Sequence, residues 1–405
     1  MTTIPFFDGE QLLEDLETLG QIGRSAEGGL LRVAFNAADM AGRRWVAEQL
    51  AMLGLTVTTD AAGNTRAWYA GTEDLSAIAI GSHTDTVPHG GMYDGALGVL
   101  AGLAALRALQ NAGIRLRHPV ELINFVAEEA TMAGGTLGSH ALVGSLNPAT
   151  LAQPAWDGQL VRTHLLNAGI DPEQIGAAVV DPGRYAAFLE LHIEQGETLA
   201  ANNIAIGVVE GIVGIRRYLV TYTGYANHAG TTTMARRQDA LVAAAPLIPY
   251  VRETALRHGI VGTIGTLEIQ PGAPNVIPGK VIINLEIRGL DDAVLDQAEG
   301  ELRTFAEAAG AVFAPLSDKP PVQSDPRLLD ALSTACEELN LAYRRMPSGA
   351  GHDAMNMAAL CPMAMLFVPS KNGVSHSPDE YTAPQDCING AQLLLAGLMK
   401  IDQIL

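Results

Sequence analysis

Ala77-Ile-Ala-Ile-Gly-Ser-His-Thr-Asp-Thr-Val-Pro-His-Gly-Gly-Met-Tyr-Asp-Gly95 joins a short apolar run, Ala77–Ile80, to Gly95–Gln110, which is apolar nearly all round. The first fits a buried strand and the second a buried helix. Two further runs, Val120–Val126 and Phe188–Ile193, repeat the strand signal, and Met363–Val368 adds a fourth late in the chain. Apolar runs without polar alternation, separated by helices, predict parallel strands covered on both faces. The expectation is therefore an α/β fold with a mostly parallel central sheet.

Helical spacing predicts further helices at Leu12–Ile22, Ala41–Leu53, Pro326–Leu339 and Ala354–Leu360. The middle of the chain has another rhythm. Strand Ile215–Tyr222, helix Asp239–Arg257, strands Gly262–Ile269 and Val281–Arg288, helix Asp291–Ala309 and strand Ala311–Pro315 follow in turn. That order, β-α-β-β-α-β, is the ferredoxin-like unit. Gly211–Gly214 and Asp318–Pro321 are the candidate hinges, so residues 1–211 and 322–405 are expected to form one domain interrupted by residues 212–321. No internal repeat or low-complexity segment is evident.

At 405 residues the chain is too long for one hydrophobic core, which agrees with two domains. No apolar stretch is long enough to span a membrane, and the first ten residues lack the basic region and apolar run of an export signal. The net charge of −19 argues against nucleic acid, whose phosphates are bound by clustered Lys and Arg. Three widely spaced cysteines, Cys336, Cys361 and Cys387, fit reduced, buried thiols in a cytoplasmic protein.

Each strand run delivers chemistry to one predicted sheet edge. His83 follows the first, Glu128 and Glu129 the second, His192 ends the third, and His376 lies in the loop after the fourth. Ligands in open α/β sheets collect beyond the carboxyl ends of strands. With Asp94, these imidazoles and carboxylates suit two divalent cations, among zinc, manganese, nickel and cobalt, with one carboxylate left as a base. Asp94 is the best bridging candidate, and Asp85 is placed to orient His83 and raise its basicity. Taken singly, Asp94 reads as a helix cap, His83 and His192 as hydrogen-bonded histidines and the glutamates as a solvated pair. Their joint placement favours the metal reading.

His83-Thr-Asp85, Tyr93-Asp94-Gly95, Glu128-Glu129 and His376-Ser-Pro-Asp-Glu380 together resemble the dinuclear-metal aminoacylase and carboxypeptidase superfamily, whose catalytic domain is exopeptidase-like. Leu191-His-Ile-Glu-Gln-Gly196, Gly272-Ala-Pro-Asn-Val-Ile-Pro278 and Ser348-Gly-Ala-Gly-His-Asp353 narrow the resemblance to allantoate amidohydrolases and N-carbamoyl-L-amino-acid hydrolases, over essentially the whole chain.

The resemblance implies that His83, Asp94 and His192 are ligands, with Asp94 bridging, and that Glu129 and His376 complete the second metal's shell. It makes Glu128 the general base, moving a proton from the attacking water to the leaving nitrogen. The inserted unit becomes a dimerisation and lid domain of a homodimer. There His228 reaches a partner's site to stabilise the oxyanion, or else only holds its own turn. Asn275 and Arg288 match positions that hold a substrate carboxylate, although Arg288 also reads as a surface charge. Gln195 and Gly349-Ala350-Gly351 are expected to shape the pocket, while His352 and Asp353 either cap a helix or touch substrate. The implied substrate is a small ureido or amide acid. Alternatives are a dipeptidase or aminoacylase acting on peptide or acyl amides with the same metals, and a catalytically silent binding relative. One segment departs from the pattern: relatives commonly carry an Arg-Phe pair soon after the glutamates, where this chain has Ala130–Gly135.

Overall fold

The computed structural model describes residues 4–405; Met1–Thr3, part of the N-terminal stretch read above, lie outside the described residues. The chain divides into two compact units. One runs through Gly211 and resumes at Ser324, and the other is Ile212–Gln323.

The first unit is built on the expected strands. Val120–Phe125, Ala77–His83, Tyr185–Ile193 and Met363–Val368 lie side by side in that order, each pair parallel. All but the second residue of Tyr185–Ile193 are buried, as runs covered on both faces require. Antiparallel strands flank them: Thr65–Tyr69 and Thr56–Thr59 on one side, Ile206–Ile212 on the other. Helix Ala96–Asn111 is almost wholly buried and packs closely on the sheet. A Cβ at its Gly98 would lie 2.2 Å from the Leu191 carbonyl oxygen, so only glycine permits that approach. Helix Pro384–Ile404, not anticipated from the sequence, buries Leu393, Leu394, Leu395 and Leu398 in the same core.

In the second unit, strands Val312–Lys319, Gly214–Thr223, Lys280–Gly289 and Val261–Gln270 form an antiparallel sheet in that order. Relative to chain order this is 4-1-3-2, the ferredoxin-like arrangement. Lys280–Gly289 alternates buried and half-buried residues, so one face packs under helices and the other does not. Val281, Ile283, Leu285 and Ile287 meet Leu295 and Leu302 of helix Asp292–Ala308 in this core. The single helix expected over Asp239–Arg257 is two, Ala240–Ala244 and Leu247–His258. Pro246 explains the break, because proline lacks the N–H and crowds the preceding turn. Likewise the helix expected over Ala354–Leu360 is one short turn pair, Asp353–Met357.

All three cysteines are buried and unpaired, and burial pushes each thiol up to about 12, so they act as small hydrophobes. No helix among the described residues is long and apolar enough to cross a membrane.

Candidate metal centre

The parallel strands end together, and their ends carry the chemistry. His83 is the last residue of its strand, His192 the next to last of Tyr185–Ile193, and Glu128 and Glu129 follow Phe125 closely. His376 sits in the loop beyond Val368 and Asp94 just before the buried helix.

Asp94 is the hub. Its Oδ1 lies 3.1 Å from His192 Nε2 and 3.7 Å from His83 Nε2, while its Oδ2 lies 3.3 Å from His376 Nε2. Glu129 Oε2 is 3.6 Å from the same His376 nitrogen. Two three-residue groups result, His83–Asp94–His192 and Asp94–Glu129–His376, sharing one carboxylate with one oxygen turned to each. Ligand atoms bonded tetrahedrally at 2.0–2.2 Å to one ion stand about 3.4 Å apart, which is the spacing found here. Two buried atoms in these groups, His83 Nε2 and Glu129 Oε1, have no hydrogen-bond partner in the protein. Oxygen and imidazole donors, matching spacing and partnerless atoms all fit divalent cations. A third group, Glu190–His192–His352, differs. Glu190 already accepts from Ser82 Oγ at 2.8 Å and from the Ala354 N–H at 3.0 Å, and His352 Nε2 meets Ser348 Oγ at 3.0 Å.

Two of the three imidazoles are aimed by their other nitrogen. His83 Nδ1 lies 3.0 Å from the Asp85 carbonyl oxygen and His192 Nδ1 2.9 Å from that of Ile193, so both Nε2 atoms face Asp94. Asp85 thus orients His83 through its backbone. Its carboxylate, expected to do so, is 3.8 Å from that ring nitrogen. The carboxylate instead accepts from the N–H groups of Glu128 at 3.3 Å and Glu129 at 3.2 Å. The glycine after Asp94 is also required: at φ +64° a Cβ on Gly95 would lie 2.4 Å from Nε2 of His83.

Burial sets the electrostatics. It drives Glu128 and Glu129 well above the usual carboxylate range, reinforced by neighbouring carboxylates, Asp85 and Asp94 among them. Burial also opposes the charge on Asp94, but the hydrogen bond and charge of His192, with a hydrogen bond from His376, hold it well below its ordinary value. His83 is lowered to about 4 by burial, whereas Asp94 outweighs burial at His192 and raises it to about 9. The pocket is short of positive charge.

The remaining expected residues divide between the units. Gln195 donates to Asp94 Oδ2 at 2.8 Å and lies 3.3 Å from His376 Nε2, so it stands on the ligand side of the pocket. Gly349, Ala350 and Gly351 form the loop after strand Tyr343–Ser348, tied by Ser348 Oγ to the Ala350 N–H and carbonyl. His352 precedes helix Asp353–Met357 without a side-chain capping bond, and its ring packs 4.4 Å from that of His192. The roles of two residues escaped the sequence reading. Glu380 accepts from the N–H groups of Tyr93 and Asp94, each at 3.1 Å, and Ser375 Oγ donates to Asp94 Oδ2 at 3.0 Å. Their proximity to His376 in sequence was the available signal.

His228, Asn275 and Arg288 belong to the inserted unit. His228 Nδ1 accepts from the N–H groups of Gly230 and Thr231 at 3.0 and 3.2 Å, so the turn-holding role is real and leaves Nε2 to carry the proton. His228 bridges Val276, and Ala229 donates to the Asn275 carbonyl, so His228 and Asn275 share the sheet end marked by Thr223 and Lys280. Arg288 lies at the other end, paired with Ile215, and its Nε donates to Glu286 at 2.7 Å. Eight steps of unbroken strand lead from Lys280 to Arg288, about 26 Å. Within one chain Asn275 and Arg288 therefore stand at opposite ends of this sheet.

Residues 79–400 match the family described as Peptidase family M20/M25/M40. The N-carbamoyl-L-amino acid amidohydrolase of Geobacillus stearothermophilus is 37% identical, the match covering 98% of this chain and 99% of that protein. A ureidoglycolate hydrolase of Oryza sativa subsp. japonica is 34% identical over 98% of this chain and 86% of its own length. Among solved structures, an amidase of the hydantoinase/carbamoylase family from Burkholderia multivorans superposes with a TM-score of 0.87, at 35% identity and 98% coverage of both chains. The chain belongs to the hydrolases of peptidase family M20/M25/M40, in the group that holds the N-carbamoyl-L-amino-acid and allantoate amidohydrolases.

Proposed function

We propose that this protein hydrolyses the ureido or carbamoyl C–N bond of a small carboxylate substrate, an N-carbamoyl-L-amino acid or allantoate, releasing ammonia. The observation that carries the reading is the pair of ligand groups sharing Asp94, with Glu128 Oε2 3.4 Å from His83 Nε2. His83, His192 and Asp94 would hold one cation, and Asp94, Glu129 and His376 the other. Bound there, divalent cations supply a Lewis acid for the scissile carbonyl and lower the pKa of water. Ureidoglycolate joins the candidate substrates because one relative carries that activity in its name.

Glu128 is the base in this reading. It takes the proton of the attacking water and returns it to the departing nitrogen as the C–N bond breaks, so ammonia leaves. A buried carboxylate with raised proton affinity suits that exchange. Asp85 fixes its backbone. His228, with its proton on Nε2, donates to the developing oxyanion, and Arg288 offers its guanidinium to the substrate carboxylate.

The separation of Arg288 from His228 and Asn275 supports a homodimer in which each site draws one end of the inserted unit from each protomer, so that His228 acts in trans. The edge strand Val261–Gln270 has a free side and alternates exposed with half-exposed residues, while the adjacent helix exposes Ile248 and Leu256, a surface suited to pairing. Buried, unpaired thiols favour the cytoplasm.

The test is ammonia release from N-carbamoyl-L-amino acids, allantoate and ureidoglycolate, with an acylamino acid and a dipeptide as the competing arms. The cations zinc, manganese, nickel and cobalt are supplied separately. Release from a ureido acid that Glu128→Gln abolishes is expected. Cleavage of only the acyl or peptide amides would replace this reading with the aminoacylase one.

A further inference from the structure

Beneath the loop that carries Glu128 and Glu129 lies a buried cation that the reaction scheme does not use. Arg43, on helix Ala37–Met52, is 3% exposed, and Asp39 and Asp85 beside it are fully buried. Its Nε donates to both Asp39 oxygens, at 3.0 and 3.2 Å. Nη1 donates to the Asn124 carbonyl at 3.1 Å and Nη2 to that of Phe125, the last residues of the strand that leads into the glutamates. Nη2 also lies 3.6 Å from Asp85 Oδ1. Asp85 in turn receives the Glu128 and Glu129 N–H groups, one on each oxygen. Asp39 is tied down by the Phe35 N–H at 2.8 Å. One guanidinium therefore spans the strand end and the carboxylate that hold the loop from two directions. The loop leaves the strand through Ala127 at φ +50°, a strained conformation that the surroundings must enforce.

We propose that Arg43 is a positioning residue: through Asp85 and the Asn124 and Phe125 carbonyls it fixes where the Glu128 carboxylate stands. The proposal rests on the reading of Glu128 as the base. A planar, five-donor fork is what such a junction needs, and lysine cannot reproduce it.

Arg43→Met is the main test, read in two ways. Hydrogen exchange on metal-free protein should show the Glu128 and Glu129 amides exchanging about tenfold faster while strand Ala77–His83 keeps its protection. With metal and the best panel substrate, kcat should fall about 100-fold with KM changed less than about threefold, since misplacement near 1 Å costs that much. If Arg43→Met fails to fold, Arg43→Lys is read in the same assays, with about a tenfold loss of kcat expected because the charge remains and the fork is lost. Unchanged kcat, or exchange that rises equally in both segments, overturns the proposal. Glu128→Gln separates the two ideas. Wild-type turnover there removes the base itself, whereas collapse there with full turnover in Arg43→Met removes only the brace.

Discussion

Replacing Gly95 by alanine should damage metal binding far more than folding. The new Cβ would stand 2.4 Å from both Cε1 and Nε2 of His83 and 2.5 Å from Cδ2. Ordinary contact begins near 3.4 Å, so the ring must retreat by about 1 Å. It has little room, because His83 is 1% exposed and ends a strand buried along its whole length. The backbone adds about 1–3 kcal/mol, since φ +64° with ψ −45° lies outside the regions that alanine populates. Crowding a packed site adds roughly 1–3 kcal/mol. A domain stable by about 5–15 kcal/mol survives that combined cost. Metal affinity is more sensitive. Disturbing even the groups that orient ligands costs about 10–100-fold, and here a ligand itself is moved. The ion held by His83 and His192 should therefore bind about 100-fold more weakly, with the Glu129 and His376 ion less affected. Competition against a chromophoric chelator reads both constants, and thermal melting reports the fold. A folded Gly95→Ala protein that binds two ions as tightly as the wild type would refute the assignment of His83.

Three further outcomes follow from the same geometry. Mixing inactive His228→Ala with inactive Glu128→Ala subunits should restore part of the ammonia release as mixed dimers form; no recovery after verified exchange would rule out a shared site. Arg288→Ala should weaken kcat/KM by about 10²-fold or more for carboxylated substrates, the loss of a charged bidentate partner, and far less for the matching neutral amides; equal losses would remove Arg288 from carboxylate binding. In chelated protein, melting temperature should fall from pH 7 to pH 9. His192, raised to about 9, contributes stability that is complete below its unfolded value near 6.5 and lost as pH rises through 9. Glu128 and Glu129, also raised, are destabilising wherever the unfolded chain would ionise them, which acts in the same direction. Saturating metal should flatten the profile; a chelated protein more stable at pH 9 would contradict these environments.

Much of this architecture was legible because burial leaves a strong mark on sequence. Strands covered on both faces read as unbroken apolar runs, and a polar residue at the end of each is conspicuous, which is how His83, Glu128, Glu129 and His192 stood out. The hairpin Thr56–Thr59 with Thr65–Tyr69 left little trace, because Thr-Val-Thr-Thr is mostly exposed and no apolar run marks it. Proximity to His376 hinted at Glu380, but its partner, like that of Arg43, was hidden for another reason. Their partners Asp94 and Asp85 are distant along the chain, and a hydrogen bond across such a separation has no periodicity to betray it. The opposed positions of Asn275 and Arg288 likewise follow from sheet register alone, which a spacing of 13 residues does not express.

If two cations sharing Asp94 drive ureido hydrolysis, activity must follow their binding. Chelated enzyme should be titrated with a single metal while ammonia release from its best ureido substrate is followed. No turnover is expected without metal, and activity should rise to a break at two equivalents per chain. Full turnover in the chelated protein, or a break at one equivalent, would contradict that dependence.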